Sequence, residues 1–114
     1  MKLMLIEENA GLRRLLHTLL APSGAQICIC AEGTEAASLS ALEAPDWIVL
    51  DLNLARVDGW QVLAQLHTAC PQARVVLLAD EMNARLRRQV RTAGATQLVL
   101  KENLLDLPPL LSGA

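Results

Sequence analysis

Two patterns of hydrophobic and polar positions alternate five times along this chain. Short, nearly unbroken apolar runs occur at 2–6, 27–30, 47–50, 75–78 and 98–100. Between them, apolar residues recur at helical spacing: Leu12, Leu15, Leu16, Leu19 and Leu20; then Leu39 and Leu42; then Val62, Leu63 and Leu66; then Leu86, Val90 and Ala93. Pro22-Ser23-Gly24, Pro45, Pro71 and Gly94 close these helical stretches, while Gly33-Thr34 and Asp58-Gly59 open two of them. The run Trp47-Ile48-Val49-Leu50 is apolar on both faces, as a central parallel strand must be. Repeated βα units with right-handed crossovers predict an α/β fold: a doubly wound five-stranded parallel sheet, a flavodoxin-like (βα)5 arrangement. Its last helix is expected to be short. Asp106-Leu107-Pro108-Pro109-Leu110-Leu111 can cap and begin one, with both prolines in the first turn, but the chain ends three residues later.

Length and composition narrow the picture. The 114 residues suit one domain spanning 1–114. Hydrophobic residues make up 53% and the net charge is −2, which argues against disorder and against nucleic-acid binding through bulk positive charge. With two Trp and no Phe or Tyr, the core must be built from Leu, Val, Ile and Ala. Glu7-Glu8 interrupts the N-terminal apolar run, and nothing approaches the ~20 apolar residues of a membrane span, so a cytoplasmic protein without signal peptide or membrane contact is expected. Cys28, Cys30 and Cys70 read as reduced packing residues, and neither His17 nor His67 has a ligand partner at metal-binding spacing. Arg85, Arg87, Arg88 and Arg91 cluster in the fourth helical stretch, where a solvated face is favoured over an acidic partner. No aromatic is interleaved for base stacking.

The chemistry gathers at the strand ends. Glu7 and Glu8 follow the first strand, Asp51 the third, Ala79 and Asp80 the fourth, and Lys101 the fifth. In a doubly wound sheet these ends share one crevice, where Glu7, Glu8 and Asp51 would repel one another unless a cation such as Mg²⁺ sat between them. Lys101 would face the same crevice as a point charge for an anion. Asp51, at the tip of a wholly apolar strand, is the candidate nucleophile towards a phosphoryl group, with the metal and the lysine neutralising the transition state. Each residue alone could be an ordinary polar strand terminus; together, on one rim, they favour a site.

The run from Ile48 to Gly59 resembles the phosphoacceptor segment of bacterial response regulator receiver domains, in which an aspartate precedes an Asp-Gly pair by seven residues. Ile6-Glu7-Glu8-Asn9 is similar to their acidic pair, and Gly94 to Lys101 to the Gly-Ala turn that leads to their lysine. The similarity covers about residues 1–112. It implies that Asp51 is the phosphorylation site, that Glu7 and Glu8 are metal-pocket acids, that the backbone of Asn53 adds an oxygen, and that Lys101 contacts the phosphoryl group. A histidine kinase or another signalling protein is the implied partner.

Departures from the family pattern qualify that implication. Glu7-Glu8 stands where the family usually has two aspartates or Glu-Asp, so Mg²⁺ binding is expected to be weak. Ala79 replaces a conserved Ser/Thr, Leu98 replaces an aromatic, Ala55 replaces a proline, and Glu102 follows the lysine where many members have proline. Hydroxyl and aromatic move together in the family's switch, so the expectation is an interaction module with a weakened or absent phosphorylation switch. The alternatives are a conventional receiver phosphorylated on Asp51 and, from another class, a small flavodoxin-like binder of a nucleotide or flavin. The latter lacks a phosphate-cradling loop. Leu104, Leu105, Leu107, Leu110 and Leu111 on a short terminal helix suggest open apolar surface. A homodimer through the terminal helices, or an effector domain beyond Ala114, would account for it.

Overall fold

A computed structural model describes residues 1–112. Five strands, β1 (Lys2–Ile6), β2 (Gln26–Cys30), β3 (Trp47–Asp51), β4 (Arg74–Ala79) and β5 (Gln97–Leu100), form one sheet in the order β2-β1-β3-β4-β5, and every pairing is parallel. Five α-helices connect and follow them: α1 (Ala10–Leu20), α2 (Ala36–Glu43), α3 (Gly59–Ala69), α4 (Ala84–Thr92) and α5 (Leu107–Ser112). The doubly wound architecture and the short last helix are therefore as the pattern predicts.

Alternation along the strands divides the core into two layers. Met4, Ile6, Ile48, Leu50, Val75 and Leu77 pack with Val62, Leu63 and Leu66 of α3 and Val90 of α4. On the other face, Leu3, Leu5, Trp47, Val49, Val76 and Leu78 pack with Leu16 and Leu20 of α1 and Leu107 and Leu111 of α5. All five residues of β3 are buried, as its unbroken apolar run requires. Short polar side chains start α1, α3 and α4: Asn9 accepts from Leu12 N at 2.9 Å, Asp58 from Trp60 N at 3.0 Å, and Asn83 from Leu86 N at 2.8 Å. The thiols fit their reading as free packing residues, with Cys30 and Cys70 buried and Cys28 half-buried. His67 Nε2 lies 2.9 Å from the Ala93 carbonyl, so that ring is satisfied within the fold.

Asp58-Gly59 has a steric explanation. A Cβ on Gly59 would stand 2.7 Å from the Leu52 carbonyl oxygen and 2.8 Å from its Cα, so only glycine lets the first turn of α3 lie against the backbone that leaves β3. Asp58 caps the helix so that it starts there. The pair thus fixes the loop between β3 and α3.

Several expectations are corrected. Leu15 is 53% and Leu42 79% exposed, so neither belongs to the core stripe. In α2 the reason is the starting point: a 3₁₀ turn occupies Gly33–Glu35, the α-helix begins at Ala36, and its inward face is Ala36 and Ser40, opposite Leu42. The two tryptophans differ: Trp47 is buried with the Arg74 guanidinium 5.4 Å from its ring centroid, and Trp60 is half-buried at the rim of the first layer. The terminal leucines are mostly covered. A 3₁₀ winding over Lys101–Asp106 lays α5 on the sheet, burying Leu107 and Leu111 and half-burying Leu104 and Leu110; of the five, Leu105 alone is exposed, at 78%. Among the described residues no helix is long and apolar enough to cross a membrane.

Candidate functional site

Strand register places the polar residues. Ile6 pairs with Leu50, so one step on brings Glu7 level with Asp51. Ala79 pairs with Leu100, so one step on brings Asp80 level with Lys101. The strand order reverses between β1 and β3, which opens the crevice that doubly wound sheets use for binding. A cavity of about 720 Å³ lies there, lined by Glu7, Glu8, Arg13, Asp51, Asp80 and Lys101 among others.

Asp51 is 2% exposed and well partnered. Its Oδ1 accepts from Asn53 N at 2.8 Å, and its Oδ2 receives the Lys101 ammonium at 2.8 Å. Burial alone would raise its titration, but the Glu7 hydrogen bond, the Lys101 ammonium and the Asn53 N–H together hold it below the ordinary carboxylate range. Glu7 is the opposite case. One oxygen accepts from Asn9 N at 2.9 Å, while Oε2 is buried with no donor on it among the described residues. Its neighbour is the Asp51 carboxylate, another acceptor, so the two can meet only through a shared proton or a cation. Burial first, and then Asp51, push the Glu7 carboxyl up to about 8. Lys101 titrates above its usual value because the Asp51 and Asp80 carboxylates outweigh its burial.

Glu8 does not complete a three-carboxylate cluster. Its Oε1 accepts from the Ala55 backbone N–H at 2.6 Å, and among the described residues no three His, Cys, Asp or Glu side chains are grouped to hold a metal. The longer side chain reaches across to the loop after β3, and a proline at position 55 would have no N–H to offer. The two departures from the family pattern, Glu8 and Ala55, are therefore one physical contact.

The family model described as Response regulator receiver domain matches residues 3–107. The chain is a receiver domain. A putative transcriptional regulator of Pseudomonas aeruginosa is 28% identical over 108 residues, covering 93% of this chain and 52% of that protein, so the receiver spans about half the length of this curated relative. Two solved structures share its fold: the chemotaxis protein CheY4 of Vibrio cholerae (TM-score 0.84, 19% identity, 96% of each chain), and a response regulator protein from Burkholderia pseudomallei (TM-score 0.85, 22% identity, 97% of this chain and 64% of that one). The Burkholderia structure carries a phosphorylated aspartic acid, a calcium ion and citrate. Receiver domains are signalling modules that work with histidine kinases and other signalling proteins.

Ala79 and Leu98 lie on the two strands that follow β3 in the sheet order. Ala79, 3% exposed, ends β4 beside the Asp51 crevice and presents only a methyl. Leu98 is half-buried on β5, in register with Leu77, and lines a shallow groove with Met82, Val90 and Arg91. Three contacts at the site are not legible in the sequence. Arg13 Nη1 donates to the carbonyls of Glu7 and Glu8 at 3.1 and 2.9 Å, fixing the turn that carries both acids. The Asn53 side chain accepts from Asp80 N at 3.1 Å, and the Asp80 carboxylate reaches Lys101 Nζ at 3.2 Å. The first two depend on loop conformation, for which spacing carries no signal, and the third on the pairing of β4 with β5.

The residues present suit a hard divalent cation. An orphaned buried carboxylate oxygen on Glu7, facing a second carboxylate on Asp51, is the oxygen-donor environment that Mg²⁺ takes with one or two acids and water. Glu8 is already engaged by Ala55.

Proposed function

We propose that this receiver acts as a protein interaction module in two-component signalling, with a weakened or absent aspartyl-phosphorylation switch. Ala79 carries the reading: at the tip of β4 it offers no hydroxyl to a phosphoryl oxygen, so the group that would draw the β4–α4 loop towards a modified Asp51 is missing. Leu98, in place of an aromatic, removes the second moving part. A phosphate can shift an equilibrium only by its differential affinity for two states, and these two positions supply most of that difference.

Within this reading each residue of the site has a role. Asp51 is the acceptor: a carboxylate oxygen forms the new bond to phosphorus as the donor's leaving group departs. Lys101 holds the charge of the transferred group. Glu7, Glu8, Asp51 and the backbone carbonyl of Asn53 would hold Mg²⁺, which supplies charge neutralisation for the transferring oxygens when bound. Glu8 must first release the Ala55 N–H, which weakens the metal site. A histidine kinase or another signalling protein is the partner. A homodimer through the terminal helices would use the exposed Leu15 and Leu105, which border one cavity between α1 and the 3₁₀ winding.

The conventional reading has one observation in its favour: Asp51 is ionised, buried and held by Lys101, ready to act as nucleophile. Mass spectrometry after treatment with acetyl phosphate and Mg²⁺ separates the two. Little or no modification of Asp51 is expected. Prompt, stoichiometric modification with a change in oligomeric state would establish the conventional switch instead.

A further inference from the structure

We propose that Asp80 is a built-in anion that occupies Lys101 and competes with a phosphoryl group for it, while keeping the β4–α4 loop docked on the site in the unmodified protein. The inference rests on Asp51 being the acceptor, as proposed above, and assigns a role to a residue just outside the sheet.

Three features build this contact. Continuing the register of Ala79 with Leu100 sets Asp80 beside Lys101, each the first residue past its strand. The Asp80 backbone is pinned, because its N–H donates to Asn53 Oδ1 at 3.1 Å and so ties the β4–α4 loop to the β3–α3 loop. From that fixed point its carboxylate lies 3.2 Å from Lys101 Nζ, while Asp51 holds the same ammonium at 2.8 Å. Two of the three ammonium donors are thereby taken by carboxylates.

Among the described residues no other cation lining the crevice is free to substitute for Lys101. Arg13 spends its guanidinium on the carbonyls of Glu7 and Glu8, and Arg56 faces Glu32 at 3.7 Å. An anion arriving at Asp51 must share or displace Asp80 to reach the lysine. Asp80 also supplies from within what a phosphoryl oxygen would supply from outside, an anion that links Lys101 to the β4–α4 loop. The loop's position therefore depends less on modification, which narrows the gap between the two states. Position 79 removes a donor for the phosphate; position 80 removes the vacancy at the lysine. Asp80 is thus a positioning residue acting through Lys101.

The test compares the full chain with Asp80→Asn and Asp80→Glu. An ion pair with one exposed partner is worth up to about 1 kcal/mol, about a fivefold effect. In calorimetric titration with beryllofluoride and Mg²⁺, a phosphoryl mimic, Asp80→Asn should bind about fivefold tighter, and Asp80→Glu should return towards wild type. Equal or weaker binding by Asp80→Asn would overturn the competition. A second measurement needs no phosphoryl mimic: acylation of Lys101 by an amine-reactive reagent, read by peptide mass spectrometry, and amide hydrogen exchange over residues 80–83. Both should be about fivefold faster in Asp80→Asn and near wild type in Asp80→Glu. If no variant binds beryllofluoride, the acceptor reading of Asp51 fails while the Asp80–Lys101 contact is still judged by these rates. Unchanged rates in Asp80→Asn would overturn the contact itself.

Discussion

Replacing Glu7 with glutamine measures the conflict between the two buried carboxyls. Glu7 is 3% exposed, its Oε2 has no donor among the described residues, and burial followed by the Asp51 carboxylate raises its titration from 4.5 to about 8. A folded-state value above the unfolded one means that the fold prefers the protonated form. The associated stability is complete below pH 4.5 and is lost progressively as the pH climbs to about 8. At about 1.4 kcal/mol per pH unit the loss across that window is about 5 kcal/mol, a large part of the ~5–15 kcal/mol that holds a typical domain together. Asp51 works in the opposite sense and elsewhere: its depressed carboxyl stabilises above 3.8 and loses that contribution only as the pH falls through its folded value. Glutamine keeps the shape of Glu7, donates an N–H to Asp51 and does not titrate. Urea denaturation across the window should therefore show wild-type stability falling with pH and the Glu7→Gln curve nearly flat, the two diverging by several kcal/mol. Subtracting the curves cancels the other titrating groups. Added Mg²⁺ should restore wild-type stability at the alkaline end, where both carboxylates are charged, and leave the variant nearly unchanged. Parallel curves for the two proteins would refute the shared-proton account.

Other predictions address the loops. Ala55→Pro removes the N–H that holds Glu8 and should raise Mg²⁺ affinity about tenfold in calorimetric titration, the worth of one charge-assisted hydrogen bond of about 1.5 kcal/mol; an unchanged affinity would show that Glu8 is not diverted. Ala44 closes α2 at φ 48°, where a Cβ costs about 1–2 kcal/mol. Against the extra unfolded-state freedom of glycine, Ala44→Gly should still gain about 0.5–1 kcal/mol in urea denaturation, and a loss would contradict the strain. Gly59→Ala drives a Cβ into the Leu52 backbone and should cost about 3 kcal/mol, lowering the thermal midpoint. A variant as stable as wild type would show that the loop yields freely.

Much of the fold follows from residues that report directly on burial. Five apolar runs gave five parallel strands, and the unbroken run Trp47 to Leu50 marked the strand buried throughout. Asp51 was visible because a lone carboxylate at the end of such a run needs a reason to be there. Helix faces were less legible: Leu15 and Leu42 have the right spacing, but a helix that starts at Ala36 instead of Gly33 turns Leu42 outward. The five terminal leucines looked uncovered because periodicity does not anticipate a 3₁₀ winding that swings α5 onto the sheet. At the site, Glu8 counts among the expected metal acids because it follows the first strand and matches the family's acidic pair. Its actual partner, the Ala55 N–H, is 47 residues away, a contact made by loop geometry.

The step of register between Ile6 and Glu7, Leu50 and Asp51, and Leu100 and Lys101 has a consequence for how such a domain can change over evolutionary time. Backbone ladders, not the tip side chains, fix where each of these positions stands. Replacing a residue at a tip alters the chemistry there without loosening a strand. Fold and switch chemistry are thus separable: the ladder between β4 and β5 holds positions 79 and 98 whichever side chains stand there. The altered chemistry is also short to reverse, since Ala79→Thr, Asp80→Ala and Leu98→Tyr are three replacements at positions in or next to the sheet.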